Sequence, residues 1–347
     1  MRKILCTLFT CFLIFLGTSE GFAFDGEILA PKKLEKGDKI CIIEASITNQ
    51  VVLENYNSRI DLIVEKLKDR GFEVVVYEDV FVKTPLELGE GTEKLRADLF
   101  NKAVHDPEIK AIFAFCGGYG AMQVLDKIDY DAFRDSRKIF VGFSDETAIE
   151  LAIFEKAGVI TFHVPMVGST LNYEETRTFD NLFDILMNPR KSFELRNIDD
   201  DSKFKVYENV GQHKNKYDKS SGKLVGGNLC LMQNLVGTPY EPNYENKILF
   251  FEEVEESCYR IHRTLWHLKL AGKLDNVSGI VIGKLTPVSC ESEEYLRQAC
   301  FDVLKDVNVP IIYNVHAGHI KNPLTLPIGA DVSIIGENII VNQYVVC

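Results

Sequence analysis

From Lys39 to His163 the chain alternates short apolar runs with segments of helical periodicity, and this alternation narrows the fold more than any other feature. The runs Lys39–Glu44, Phe72–Tyr77, Ala111–Phe115, Lys138–Phe143 and Val159–His163 read as strands. Between the first two, Ile60, Leu62, Ile63 and Leu67 recur at helical spacing up to a stop at Gly71. Helical segments follow at Thr92–Val104, from Ala121 to Leu125, and at Ala148–Lys156, the last ending at Gly158. Strand–helix–strand repetition with short turns predicts a parallel, doubly wound sheet, whose ligands bind at the carboxyl ends of its strands. Three features fall at such ends: the glycine turn after Phe115, the Ser144-Asp145 turn and His163.

Beyond residue 171 the character changes. Asn172–Gly222 is polar and charged, and reads as a connector with one helix near Phe179–Met187. From Lys223 a second unit begins, with strand signals at Lys247–Phe251, Gly279–Ile282, Pro310–Tyr313 and Val332–Val341. Helices are predicted at Tyr259–Leu270 and Glu293–Leu304. The expected fold is therefore α/β: an N-terminal doubly wound parallel-sheet domain over 28–171, a connector over 172–222, and a smaller, β-rich C-terminal α/β domain over 223–347. A length of 347 residues suits two such cores.

The start of the chain has a separate pattern. Arg2 and Lys3 precede the mostly apolar stretch Ile4–Leu16, and Gly21-Phe22-Ala23 supplies a small-x-small cleavage pattern. We read residues 1–23 as a secretory signal that is removed, which places the mature protein in the periplasm or outside the cell, with no integral membrane segment remaining. A net charge of −12 argues against nucleic acid and anionic membrane surfaces as partners. Seven cysteines lie beyond the signal, scattered and without a C-x-x-C pair, which excludes a zinc ribbon. In an exported protein Cys290 and Cys300 are the pair proposed to oxidise.

The chemistry centres on Ala111–Leu125, where an apolar strand meets Gly117-Gly118-Tyr119-Gly120 and then a helix. Such an elbow can expose one side chain beside backbone N–H groups able to hold an oxyanion. Ala121 stands where Ser or Cys would be sought. Glu252 and Glu253 end the apolar strand Ile248–Phe251, and His319 sits in a glycine-flanked turn, Ala317-Gly318-His319. A histidine so placed suits a general base. Gly226-Gly227-Asn228-Leu229 reads as a tight turn that could approach a ligand. Tyr119 and Met122 suit a pocket wall or plain packing; Ser144 and Asp145 suit the start of a helix, and Asp145 also a ligand contact. A dinucleotide site is excluded, because Gly118-Tyr119-Gly120 lacks a third glycine three positions on.

Taken in order, C-G-G-Y-G-A-M-Q, G-F-S-D-E-T-A, T-F-H-V-P-M, G-G-N-L, G-T-P-Y, I-L-F-F-E-E-V-E-E-S-C-Y-R-I-H-R and G-H-I-K-N-P-L-T-L-P-I-G resemble the LD-carboxypeptidase family, serine peptidases that include the microcin-immunity peptidases. The resemblance covers nearly all of Ile28–Val346. It implies a Ser–Glu–His triad split across two domains, with Glu252 as the triad carboxylate, His319 as the base, and an oxyanion hole of backbone N–H groups around Gly118 and at Ala121. It implies no cofactor and no metal, a muropeptide or small-peptide ligand cut before a C-terminal D-alanine, and, since family members are commonly dimers, a homodimer. On this matching the nucleophile serine falls on Ala121, the basic residues that commonly flank the elbow fall on Cys116 and Gln123, and the glycine after the motif histidine is Val164. Three readings follow: a peptidase with a modified mechanism, a pseudoenzyme that binds muropeptides without cutting them, and an engineered or erroneous Ser-to-Ala form of an ordinary enzyme.

Overall fold

The computed structural model describes residues 26–46, 56–77, 91–168, 177–198, 203–207 and 219–347. Residues 1–23, read as a signal, lie outside the described residues. Among the described residues, fourteen strands form two sheets, one of six strands and one of eight. The first has the order β12-β5-β4-β3-β1-β2. Its strands β1 (Lys39–Ile43), β2 (Glu73–Val76), β3 (Ile109–Ala114), β4 (Ile139–Gly142) and β5 (Thr161–His163) run parallel. They are joined through helices α1 (Tyr56–Asp69), α2 (Glu93–His105), α3 (Tyr130–Ser136) and α4 (Thr147–Ala152), the last running on as a π-turn over Ile153–Ala157. The central strands are near-continuous apolar runs because helices cover both faces of a doubly wound sheet; Ile112, Phe113, Ile139 and Phe140 have no exposed surface.

Helix α5 (Arg177–Met187) packs Phe183 on Phe72 with ring centroids 5.1 Å apart, and on Phe113 at 6.1 Å. The second sheet has the order β6-β14-β13-β8-β9-β10-β11-β7. Strands β6 (Phe193–Leu195), β7 (Lys205–Val206) and the start of β8 (Lys219–Asn228) come from the stretch read as connector, which therefore supplies sheet as well as one helix. β8, β9 (Ile248–Val254), β10 (Gly279–Thr286) and β11 (Ile311–Tyr313) are mutually parallel in that order. Around them lie helices α6 (Leu229–Leu235), α7 (Cys258–Leu270) and α8 (Glu293–Leu304). Antiparallel strands flank this core on both sides.

Three details depart from expectation. The single signal at Val332–Val341 is two strands, β13 (Asp331–Ile335) and β14 (Asn338–Val341), turned at Gly336 with φ +56°. Strand β12 (Leu326–Ile328), late in the chain, pairs antiparallel with β5 and completes the first sheet, with Leu326 opposite His163. The chain end returns to the same part: the Cys347 N–H donates to the Pro31 carbonyl at 2.9 Å. The disulfide is also corrected: Cys258 bonds Cys290, while Cys300 is free and buried in α8. Cys258 caps the loop after β9, and its N–H donates to the Ser289 carbonyl at 3.0 Å, so the two loops already lie side by side.

Candidate active site

Glu252 lies on β9 with no exposed surface, and its Oε2 is 2.7 Å from His319 Nδ1. Gly318 makes that approach possible: a Cβ there would meet Glu252 Oε2 at 3.0 Å, and its φ of +126° suits glycine alone. Burial by itself would raise the Glu252 carboxyl. The charge and hydrogen bond of His319, with lesser help from His163 and Asn228, outweigh burial and hold it below the ordinary glutamate range. With Nδ1 engaged by the carboxylate, Nε2 of His319 is the nitrogen left to act as a base. The pair expected from sequence, Glu252 and His319, is thus brought together.

Asn228 was not singled out for its side chain, and the structure gives it a central place. It ends β8 and caps α6, its Oδ1 accepting from the Leu231 N–H at 3.3 Å. Its Nδ2 donates to Glu252 Oε1 at 3.3 Å and Glu253 Oε1 at 2.9 Å, and its N–H donates to Thr147 Oγ1 at 3.0 Å. One residue therefore ties the carboxylate strand to the helix that follows Ser144. Gly226-Gly227 is not the expected turn but the end of β8. A Cβ at Gly227 would meet Thr147 Cγ2 at 2.6 Å, so the glycine lets the two sheets' elements touch.

The residues at the first glycine turn take different roles from those expected. Ala121 is fully buried and opens a 3₁₀ turn, Ala121–Lys127; it does not stand at the apex of an elbow. Its N–H donates to Asp145 Oδ2 at 2.7 Å and so is not free for an oxyanion. Asp145 is likewise turned inward. It is 5% exposed, accepts also from Ser46 Oγ at 2.7 Å, and joins the glycine loop to the end of β1 rather than facing a ligand. Burial raises its carboxyl, against the Ala121 and Ser46 hydrogen bonds. Arg96 completes the lock by donating to the Gly120 carbonyl at 3.0 Å and Gln123 Oε1 at 2.6 Å. Gly118 and Tyr119 are on the surface, Tyr119 at 52%.

The sharp strand-to-helix turn lies one strand over. Ser144 lies two residues past the end of β4 and has φ +61°, a left-handed conformation that costs a side-chain-bearing residue roughly 1–2 kcal/mol. It is not the helix cap expected of it, since Phe143 holds that position and no side-chain cap bond is made. A Cβ at Gly117 would lie 3.0 Å from Ser144 Cβ and 3.2 Å from its Oγ, so the glycine loop closes directly over this hydroxyl. Phe143, the residue before it, packs its ring on His319 with centroids 4.3 Å apart. Strained non-glycine backbone at a strand end is a mark of functional turns. The signal that could have found it is Gly142-Phe143-Ser144: a Cβ at Gly142 would strike Phe140 and Glu146 at 2.8 and 2.9 Å, the small-x-Ser spacing of a nucleophile turn.

Among the described residues, no group of three or more His, Cys, Asp or Glu side chains is gathered as a metal site would be, and no helix is long and apolar enough to cross a membrane. A carboxylate–imidazole pair on one sheet, set against a strained serine turn on the other, defines a two-part α/β protein with an acyl-transfer type of site. The chain belongs to the LD-carboxypeptidase family: it matches that family's N-terminal domain over residues 42–164 and its C-terminal domain over 221–334. It is 29% identical over 304 residues to a probable murein peptide carboxypeptidase of Bacillus subtilis, covering 86% of this chain and 89% of that one. It is 30% identical to the microcin C7 self-immunity protein MccF of Escherichia coli, with 88% and 92% covered. Among solved structures, MccF in complex with glutamyl sulfamoyl guanosine superposes with TM-score 0.78 at 26% identity, covering 92% of this chain and all of that one. A MccF-like protein from Bacillus anthracis gives TM-score 0.77 at 26% identity, with 91% and 99% covered.

Proposed function

We propose that this chain is an active serine-type LD-carboxypeptidase that releases the C-terminal D-alanine of murein tetrapeptides, with Ser144 as nucleophile, His319 as base and Glu252 as the carboxylate that orients it. The observation that carries the reading is the left-handed turn at Ser144, covered by Gly117 and packed through Phe143 on the His319–Glu252 pair. In this mechanism His319 Nε2 takes the Ser144 proton as Oγ attacks the carbonyl before D-alanine. The Asp145 N–H, next in the chain to Ser144, and a backbone N–H of the glycine turn that closes over the hydroxyl are assigned to the oxyanion, in place of the Ala121 N–H that Asp145 occupies. His319 then protonates the departing amine, and water repeats the sequence on the acyl-enzyme. The Bacillus subtilis relative's name supports the substrate class, and the sulfamoyl nucleoside bound by MccF shows that a relative holds a small aminoacyl-like ligand.

Mass spectrometry of a murein tetrapeptide incubated with three forms of the protein tests this. The chain as it stands should release D-alanine, Ser144→Ala should lose roughly a thousandfold or more of the rate, and Ala121→Ser should not gain. Undiminished turnover in Ser144→Ala overturns the assignment. Tight peptide binding by the unaltered chain without turnover restores the pseudoenzyme reading. We also propose export after removal of residues 1–23, a location in keeping with the Cys258–Cys290 disulfide. Amino-terminal sequencing of the periplasmic or secreted protein, and sedimentation for a homodimer, are the corresponding tests.

A further inference from the structure

Behind the triad lies a second imidazole–carboxylate pair that the mechanism does not use. His163 ends β5 and Glu150 lies on α4, six residues after Ser144; His163 Nδ1 is 2.7 Å from Glu150 Oε2, and the two side chains are 1% and 0% exposed. His163 Nε2 and Glu150 Oε1 are buried without a hydrogen-bond partner among the described residues. The His163 ring packs on Phe143 with centroids 4.9 Å apart and edge-on to Phe250 at 5.4 Å. Phe143 thus has a histidine on each side, His163 and His319. Its backbone leads straight into the Ser144 turn, and its ring is the wall on which the base rests.

We propose that His163 and Glu150 form a buried ion pair that positions the triad. As an imidazolium, His163 braces Phe143 behind His319 and presents positive charge to Glu252, keeping that carboxylate ionised while His319 carries the nucleophile's proton. The charged groups that face His163 are Glu150 from α4, Glu252 from β9 and His319 across Phe143; its β-sheet neighbours Gly142 and Leu326 bring none. Two carboxylates therefore face one ring, and two aromatic faces lie against it; burial raises the Glu150 carboxyl, while the charge and hydrogen bond of His163 act to keep it ionised. Burial alone would lower the imidazolium's stability, and the charge and hydrogen bond of Glu150, with Glu252 behind, raise it above the ordinary histidine range.

This inference rests on the triad assignment above, but its first test needs no turnover. In ¹⁵N NMR of the intact protein, both His163 nitrogens should be protonated at neutral pH; a bare, pyridine-type nitrogen there overturns the proposal. The second test is the double variant His163→Phe with Glu150→Gln, which removes both charges, keeps a ring against Phe143 and strands no carboxylate. The two imidazoles pack on the same phenyl ring and are at most about 9 Å apart, so both the charge and the packing of the pair reach the base. In the double variant the acidic limb of the kcat/KM pH profile should move, with kcat falling several-fold and KM unchanged. An unmoved pH profile in a folded variant refutes the electrostatic role. If the unaltered chain releases no D-alanine, the peptidase reading fails while the NMR titrations still judge the pair.

Discussion

Two substitutions at Ser144 separate the strain of its turn from its chemistry. Ser144→Ala and Ser144→Gly both remove the hydroxyl, so both should abolish hydrolysis, and they differ only in what the backbone tolerates at φ +61°. A left-handed residue with a Cβ costs roughly 1–2 kcal/mol, which glycine escapes. Glycine also gives the unfolded chain more freedom, which takes back roughly 0.5–1 kcal/mol. The glycine variant should therefore be the more stable by up to ~1.5 kcal/mol, or about 2 °C in Tm for a protein of this size. Glu65, exposed on α1, supplies the reference: there Glu65→Gly should be about 1 kcal/mol less stable than Glu65→Ala. Thermal and urea unfolding of the four variants measures the reversal. If the glycine form is the weaker at 144 by the same margin as at 65, the turn is unstrained and the argument that singles out Ser144 fails.

Other outcomes follow from the same geometry. Gly117→Ala puts a methyl 3.0 Å from Ser144 Cβ and 3.1 Å from Met166 Cε; it should cost about 1–3 kcal/mol in stability and tenfold or more in kcat, and wild-type kcat would refute the close approach. Glu252→Gln should keep the fold and lower kcat by roughly 10²–10⁴, because His319 Nδ1 loses its anionic partner, with KM as the control. Burial lifts the Glu253 carboxyl to about 7 from 4.5, against hydrogen bonds from Val254, Asn228 and Cys230. The native state then holds a proton that the unfolded chain has lost, so this group's contribution to stability falls as pH rises from about 4.5 to 7, by up to about 3 kcal/mol. Glu253→Gln should flatten the decline of Tm over that window, and an unchanged slope counts against the assignment. Reducing the Cys258–Cys290 bond, whose partners are 32 residues apart, should lower stability by up to about 3–4 kcal/mol, read as a Tm drop with reductant that Cys258→Ser with Cys290→Ser reproduces.

The parallel sheet was legible because its strands are buried on both faces and carry unbroken apolar runs; Ile139–Gly142 needs no partner to be read as a strand. The Glu252–His319 pair was legible because Glu252 directly follows the apolar run Ile248–Phe251 and His319 sits in a glycine-flanked turn after the strand Ile311–Tyr313. The proposed nucleophile, Ser144, differs from the position sequence pointed to, Ala121, for a physical reason. Sequence advertises left-handed backbone through glycine, which drew attention to Gly117–Gly120, whereas at Ser144 the serine itself bears the unfavourable φ. Its neighbour Asp145 read as a ligand contact because an aspartate at a turn is usually exposed, yet here it satisfies Ala121 and Ser46 inside the protein. The partner of Cys290 was out of reach, since pairing depends on the β9 and β10 loops meeting in space. The Val332–Val341 run hid a hairpin because both of its strands are apolar and only Gly336 marks the turn.

Strand β12 carries a consequence for how the molecule is made. Until Leu326–Ile328 dock, β5 is an open sheet edge ending in His163, and the first sheet lacks its last hydrogen-bonded neighbour. The nucleophile's half of the protein therefore finishes folding only after the carboxylate and the base have been synthesised. A chain released early would carry Ser144 without its partners and with a bare edge. Assembly of the proposed site is in this sense tied to the docking of β12, and a truncation just before residue 326 should yield an aggregating species.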